Sequence, residues 1–168
     1  MTTRELRLLP DPVLRAKAKR VRNFDAALQR LIDDMVETMR HESGVGLAGN
    51  QAGVLQRVAV IQVPEDPEAR VLVNPEIIER QGEREVDEGC LSIPGYRGTI
   101  KRSVTVRVKA LDRQGKPFRL QANGLLAQAL EHETDHLNGI LYIDHLESHD
   151  KLHKVEPEPE ESQGAGVG

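Results

Sequence analysis

Aromatic residues are nearly absent from this 168-residue chain, which has two Tyr, two Phe and no Trp. Its core must therefore rest on Leu, Ile, Val and Ala. Cysteine is limited to Cys90, so an internal disulfide is excluded and a reducing compartment suits the chain. No apolar run is long enough to span a bilayer, and the N-terminus, MTTRELRLLPDP, has no apolar signal core. The expected location is the cytoplasm, with no membrane partner. An excess of positive charge is also lacking. The net charge of −4 argues against general nucleic-acid binding, DNA included. The length fits one domain with a buried core.

Both helical and strand signals are present. Asp11-Pro12 opens a short helix with Pro at its first position. Asp25 caps a longer one, in which Leu28, Leu31, Ile32, Met35, Val36 and Met39 recur at helical spacing. The glycine-rich segment Gly44 to Gly53 reads as a loop at the active site. Strand-like runs follow at Val58 to Val63, Arg70 to Asn74, Ile77 to Arg80 and Val104 to Leu111, and Asp112-Arg113-Gln114-Gly115 signals a hairpin turn. From about Glu156 the chain is Glu, Pro, Gly and Ser, a composition that cannot bury a core. The expected division is a single catalytic domain over 1–155 and a disordered acidic Pro/Gly tail over 156–168.

The chemistry concentrates in His132-Glu133-Thr134-Asp135-His136, an HExxH pattern. The surrounding stretch is helical: Leu125, Leu126, Ala129, Leu130 and Leu137 supply apolar positions, and Asn138-Gly139 supplies a stop. A helix advances about 3.6 residues per turn, so His132 and His136 share one face and can bind a single transition metal. Glu133 can then reach a water on that metal. Taken alone, the same letters are also met on exposed polar helices.

HExxH supplies two ligands, and the third is not local. The protease extension HExxHxxGxxH is followed as far as Gly139 but meets Tyr142 where a histidine is needed. A downstream glutamate does not serve either, because Glu147 is too close and the remaining glutamates lie in the tail. Cys90 closes the set. A lone cysteine is more often a small buried hydrophobe, but a thiolate with two imidazoles leaves a fourth position open, as a catalytic metal site requires.

Three motifs in order carry a resemblance. Gly44-Val45-Gly46-Leu47-Ala48-Gly49-Asn50-Gln51 matches GxGxAAxQ with one departure, Glu88-Gly89-Cys90-Leu91-Ser92 is an intact EGCLS, and His132 to His136 is an intact HExDH. In these the chain resembles the peptide deformylases, from about Leu8 to Leu146. The resemblance implies an α+β fold, with antiparallel β-sheets around a central HExxH-bearing helix and helices at the N-terminus. It implies metal-dependent removal of the formyl group from N-formyl-methionyl nascent peptides, with transient contact at the ribosome and a monomeric enzyme. The metal ligands would be Cys90, His132 and His136. Fe²⁺ is the implied ion, and Zn²⁺, Ni²⁺ or Co²⁺ would suit the same donors. Glu133 would move the proton, while the Gln51 amide and the Leu91 backbone N–H would stabilise the developing oxyanion. The substrate would lie along Gly44, Val45 and Gly46, near Arg97, with Leu125 and Ala129 on the helix stripe above it. Two other readings stay open: an HExxH metallopeptidase of broader amide specificity, and a deformylase-like protein with little or no turnover.

Several residues depart from the family pattern. Gly49 stands where Ala is usual, and Asn50 where Pro or a small residue is usual; both could loosen the loop that carries Gln51. Glu131 replaces a common Gln, and the C-terminus lacks the long basic helix of many bacterial members. Gln128 stands where an apolar residue is usual, and the expectation is that it turns to solvent and leaves the methionine pocket apolar. Asp135 is either an orienting carboxylate, paired with Arg102, or a solvated one. Arg97 is either a peptide contact or a surface charge. His145, His149 and His153 recur every four residues, as a second metal site or, the reading favoured here, as a solvated helix end.

Overall fold

The computed structural model describes residues 2–155, so the expected tail, 156–168, lies outside the described residues. The first described elements form as the capping residues require. Asp11 accepts from the Val13 N–H at 3.0 Å and opens a 3-10 turn, Pro12–Arg15. Asp25 accepts from the Leu28 N–H at 3.0 Å and starts helix α1, Ala26–His41.

Among the described residues, eight strands form two sheets. β1 (Gly46–Ala48), β2 (Val58–Ile61), β3 (Arg70–Gln81), β6 (Thr105–Leu111) and β7 (Pro117–Asn123) make a five-stranded sheet in the order β1-β2-β3-β6-β7. β4 (Arg84–Cys90), β5 (Ile93–Arg102) and β8 (Leu152–Lys154) make a three-stranded one in the order β4-β5-β8. Every pairing is antiparallel. Helix α2 is Gly124–Leu137 and carries the HExxH residues.

Side chains alternate across a strand, and here that alternation divides the core. Val58, Val60 and Val73 pack with Leu28, Leu31, Ile32, Met35 and Met39 of α1. Ile61, Leu72, Val106, Val108 and Ala110 point to the other face and pack with Ala127, Ala129 and Leu130 of α2. The four residues of β2 are all buried because that strand is covered on both faces. A third cluster, with Leu14, Val86, Ile93, Ile100, Leu141 and Tyr142, surrounds Cys90 at the end of β4.

Three readings of the sequence are corrected. Gly44 to Gly53 is not one loop: Gly46, Leu47 and Ala48 pair with Ile61, Val60 and Ala59, and Gly49–Ala52 forms a 3-10 turn. The backbone groups that glycine leaves accessible are claimed by a neighbouring strand. Arg70 to Asn74 and Ile77 to Arg80 belong to one strand, whose register shifts between Val73 and Glu76, around Pro75. His145, His149 and His153 are not on a common helix. They fall in the 3-10 turns Tyr142–His145 and His149–Lys151 and in β8, where His153 pairs with Arg97. Among the described residues they form no group of metal donors.

Candidate metal centre

α2 packs its small apolar residues on the five-stranded sheet, so its remaining face looks towards β4. His132 and His136 lie on that face, one turn apart, and Cys90 ends β4 opposite them. All three are buried, and one donor atom from each lies within 4.8 Å of the others. Cys90 Sγ is 3.3 Å from His136 Nε2, which is 3.1 Å from His132 Nε2. A sulfur and two imidazole nitrogens are the donor set of a four-coordinate transition-metal site with one position open, so these residues fit such an ion.

The ring orientation of His132 has a visible cause. Its Nδ1 lies 2.5 Å from Glu88 Oε2, so the Nδ1–H donates to the carboxylate and Nε2 presents its lone pair to the cluster. Glu88 is fully buried and also accepts two N–H groups of Arg102, Nε at 3.0 Å and Nη2 at 2.7 Å. Burial opposes its ionisation. The His132 ring and the Arg102 guanidinium outweigh that cost and hold its carboxyl well below the usual range. Arg102 continues the chain: its Nη1 donates to Asp135 Oδ2 at 2.8 Å, and His145 Nε2 lies 2.8 Å from the same oxygen. Sequence reasoning paired Asp135 with Arg102 but passed over Glu88. The available signal was that a metal-binding histidine needs a carboxylate partner and that EGCLS begins with one.

Glu133 is buried beside the cluster, and neither carboxylate oxygen has a hydrogen-bond partner among the described residues. Burial, reinforced by the negative charge of Glu88, pushes its pKa well above the ordinary carboxylate value. A methyl group on Gly46 would stand 2.5 Å from Glu133 Oε2, which accounts for glycine there. The space over Gly44 is filled in the same way, by Leu91 Cδ1 at 2.7 Å from a notional Cβ. Burial, with the Glu133 and Glu88 charges behind it, also pushes the Cys90 thiol up. Coordination reverses that direction, because a bound cation stabilises the thiolate.

Gln51 is fully buried and fixed in one orientation. Its Oε1 accepts from the Ala48 N–H at 3.0 Å, so the NH₂ end faces Ser92 Oγ at 3.1 Å and Cys90 Sγ at 3.7 Å. Leu91 and Ser92 form the turn that joins β4 to β5, immediately after Cys90.

The sequence model of the polypeptide deformylase family matches residues 3–152. The chain belongs to the polypeptide deformylase family. It is 56% identical over 160 residues to a peptide deformylase of Dehalococcoides mccartyi, covering 95% of this chain and 96% of that one. Its fold superposes on a crystal structure of a peptide deformylase from Legionella pneumophila with a TM-score of 0.86 and 50% identity, over 89% of each chain. The Synechococcus elongatus peptide deformylase, solved in complex with actinonin, gives 0.85 and 41%, over 90% of this chain and 82% of that one.

Measured against the deformylase pattern, the departures have structural accommodations. A Cβ on Gly49 would lie 2.5 Å from the Gln56 carbonyl and 2.8 Å from that of Val54, so this backbone has closed over the glycine. Asn50 is fully buried and donates from Nδ2 to the Ala16 carbonyl at 2.8 Å, tying the 3-10 turn to the N-terminal segment. Gln51 is bonded at both ends of its amide. Glu131, also buried, accepts from the Ser103 N–H at 2.7 Å, from Ser103 Oγ at 3.0 Å and from Arg80 Nε at 3.0 Å. The expectation for Gln128 is overturned. Its side chain is only 6% exposed, and Nε2 donates to Glu88 Oε1 at 3.1 Å. The buried carboxylate offers the amide a better partner than water does.

The remaining site candidates are less concentrated. Val45 is buried in the core with Ile61 and Ala129, whereas Leu125 is 37% exposed in the first turn of α2. Arg97 lies over Gly89 and donates to Asp87 Oδ2 at 2.6 Å. A surface cleft of about 920 Å³ is lined by residues such as Arg4, Lys19, Arg22 and Leu28 and contains none of the metal-centre residues. Donor chemistry, not cleft size, marks the site.

Proposed function

We propose that the chain is a peptide deformylase, which hydrolyses the formamide at the N-formyl-methionyl end of nascent polypeptides. The observation that carries this reading is the convergence of one thiol and two imidazoles beside a buried carboxyl that has no hydrogen-bond partner among the described residues, each within a deformylase motif. We read residues 1–155 as one catalytic domain, with α2 as its central helix between the two sheets. Cys90, His132 and His136 would hold the metal. The resemblance implies Fe²⁺, and Zn²⁺, Ni²⁺ or Co²⁺ suits the same donors.

When bound, such an ion supplies Lewis acidity, making water acidic near neutrality and polarising the formyl carbonyl. Glu133 takes the proton from the attacking water. It then delivers that proton to the departing amine. Charge developing on the formyl oxygen meets the Gln51 NH₂, whose other end is locked by Ala48, and the Leu91 backbone N–H. The peptide would run along Gly44 to Gly46 with Arg97, Leu125 and Ala129 at its borders. The enzyme would act as a cytoplasmic monomer, meeting its substrate at the ribosome. Among the described residues no helix is long and apolar enough to cross a membrane.

The test is hydrolysis of formyl-Met-Ala beside its unformylated counterpart, by protein prepared without oxygen. The expected products are formate and free Met-Ala, with activity lost in air and preserved by Ni²⁺ or Co²⁺ substitution. Cleavage of the Met-Ala bond would favour a general metallopeptidase, and no turnover would favour a non-catalytic relative. A fully active, air-stable Zn²⁺ form would count against iron.

A further inference from the structure

We infer that Gln128 is a positioning residue for the metal centre. Its amide braces the Glu88 carboxylate, and Glu88 in turn aims His132. The inference rests on the reading of Cys90, His132 and His136 as metal ligands.

Gln128 and His132 are four residues apart on α2, so their side chains leave the same face one turn apart. Both end on one carboxylate. Gln128 Nε2 donates to Glu88 Oε1 at 3.1 Å, and His132 Nδ1 lies 2.5 Å from Oε2. Arg102 approaches from β5 and gives one N–H to each oxygen, Nε to Oε1 and Nη2 to Oε2. Each oxygen thus has two partners, about the full complement of its lone pairs. Without Gln128, Oε1 would retain a single donor, while Oε2 would still carry both Arg102 and His132. The carboxylate would then be held by Arg102 and His132 alone, with less resistance to turning about its terminal bond and carrying the His132 ring with it.

The same bond also links the two elements that bring the ligands together. Glu88 lies two residues before Cys90 on β4, and Gln128 lies four before His132 on α2. A hydrogen bond between them is a cross-brace close to the ligands on both sides, and it opposes sliding of α2 along β4. The choice of donor matters. An amide is neutral, so it supplies a bond to the anion without adding charge beside Arg102. An apolar side chain supplies none, and a buried carboxylate oxygen is costly to leave short of donors. Because the amide is committed to Glu88, Gln128 does not act as a wall of the methionine pocket.

The experiment is Co²⁺ binding to the full chain and to the variants Gln128→Leu, Gln128→Met and Gln128→Glu, with apo-protein melting temperature as the control for folding. Replacing a residue that orients a metal ligand typically weakens binding about 10- to 100-fold. Gln128 acts one bond further away, so the Leu and Met variants should bind Co²⁺ about 3- to 30-fold more weakly. Their visible absorption bands should shift, since the geometry at His132 has changed. Gln128→Glu keeps the length and loses the donor, and it should be the weakest binder of the set. Affinities and spectra within twofold of wild type for Leu and Met would overturn the proposal. So would a change confined to KM for formyl-Met against formyl-Ala substrates, which would make Gln128 a pocket residue. Loss of fold in both apolar variants would make the bond purely structural and would also overturn it. Co²⁺ binding is read without any formyl peptide, so the outcome is independent of whether the wild type turns over formyl-Met-Ala.

Discussion

Glu133 is only 1% exposed and lacks a hydrogen-bond donor on either oxygen among the described residues, a costly state for an ionised carboxyl. Its raised pKa follows from that isolation. A proton acceptor that is not a ligand should be separable from metal binding. Glu133→Gln is therefore expected to keep its metal while kcat falls about 100-fold or more, since positioned acid–base groups contribute about 10²–10⁴. Metal analysis and steady-state kinetics on the same sample check this, and loss of the metal would move Glu133 among the ligands. At this scale the sequence was unusually legible. HExxH and EGCLS fix residue types that few other chemistries need together, and the structure brings Cys90, His132 and His136 within 4.8 Å of one another. Pairings across the fold were less visible. That Gln128 and His132 would share the two oxygens of Glu88, 40 and 44 residues away, has no local signature.

Among the elements, the regular periodicities were readable and the irregular ones were not. α1 follows its Asp25 cap and its apolar spacing, and α2 follows its stop signal. β4, Arg-Glu-Val-Asp-Glu-Gly-Cys, shows no apolar alternation, because the buried positions that follow Val86 at alternate residues, Glu88 and Cys90, carry a carboxylate and a thiol. β1 was masked by its glycine, and that glycine is now explained by contact with α2. Gly46→Ala would place a methyl 2.5 Å from Glu133 Oε2, so the carboxylate or β1 must move. Overpacking of this kind costs about 1–3 kcal/mol. Displacing a catalytic group by about 1 Å can cost about 10²-fold. The variant should therefore melt lower by about 2 °C or more, and lose about two orders of magnitude in kcat/KM. Wild-type kinetics would mean that Glu133 is free to shift without consequence.

On the scale of the whole molecule, α2 packs on the five-stranded sheet and hydrogen-bonds to residues of β4 in the three-stranded one. The helix presents alanines and leucine to the first and polar residues to the second. Arg102 extends the joint, gripping Glu88 on one side and Asp135 on the other. The proposed ligands stand on both sides, Cys90 on the smaller sheet and His132 and His136 on the helix, so a metal bound by all three would fasten the two together. The central claim is therefore that this one ion requires Cys90 as well as the two histidines. The direct measurement is elemental analysis of anaerobically purified protein, wild type beside Cys90→Ala, with deformylation of formyl-Met-Ala recorded on each. The account predicts about one transition-metal ion per wild-type chain, as a three-ligand catalytic site holds, and neither tightly bound metal nor turnover in Cys90→Ala. A Cys90→Ala protein with stoichiometric metal and full turnover would contradict it.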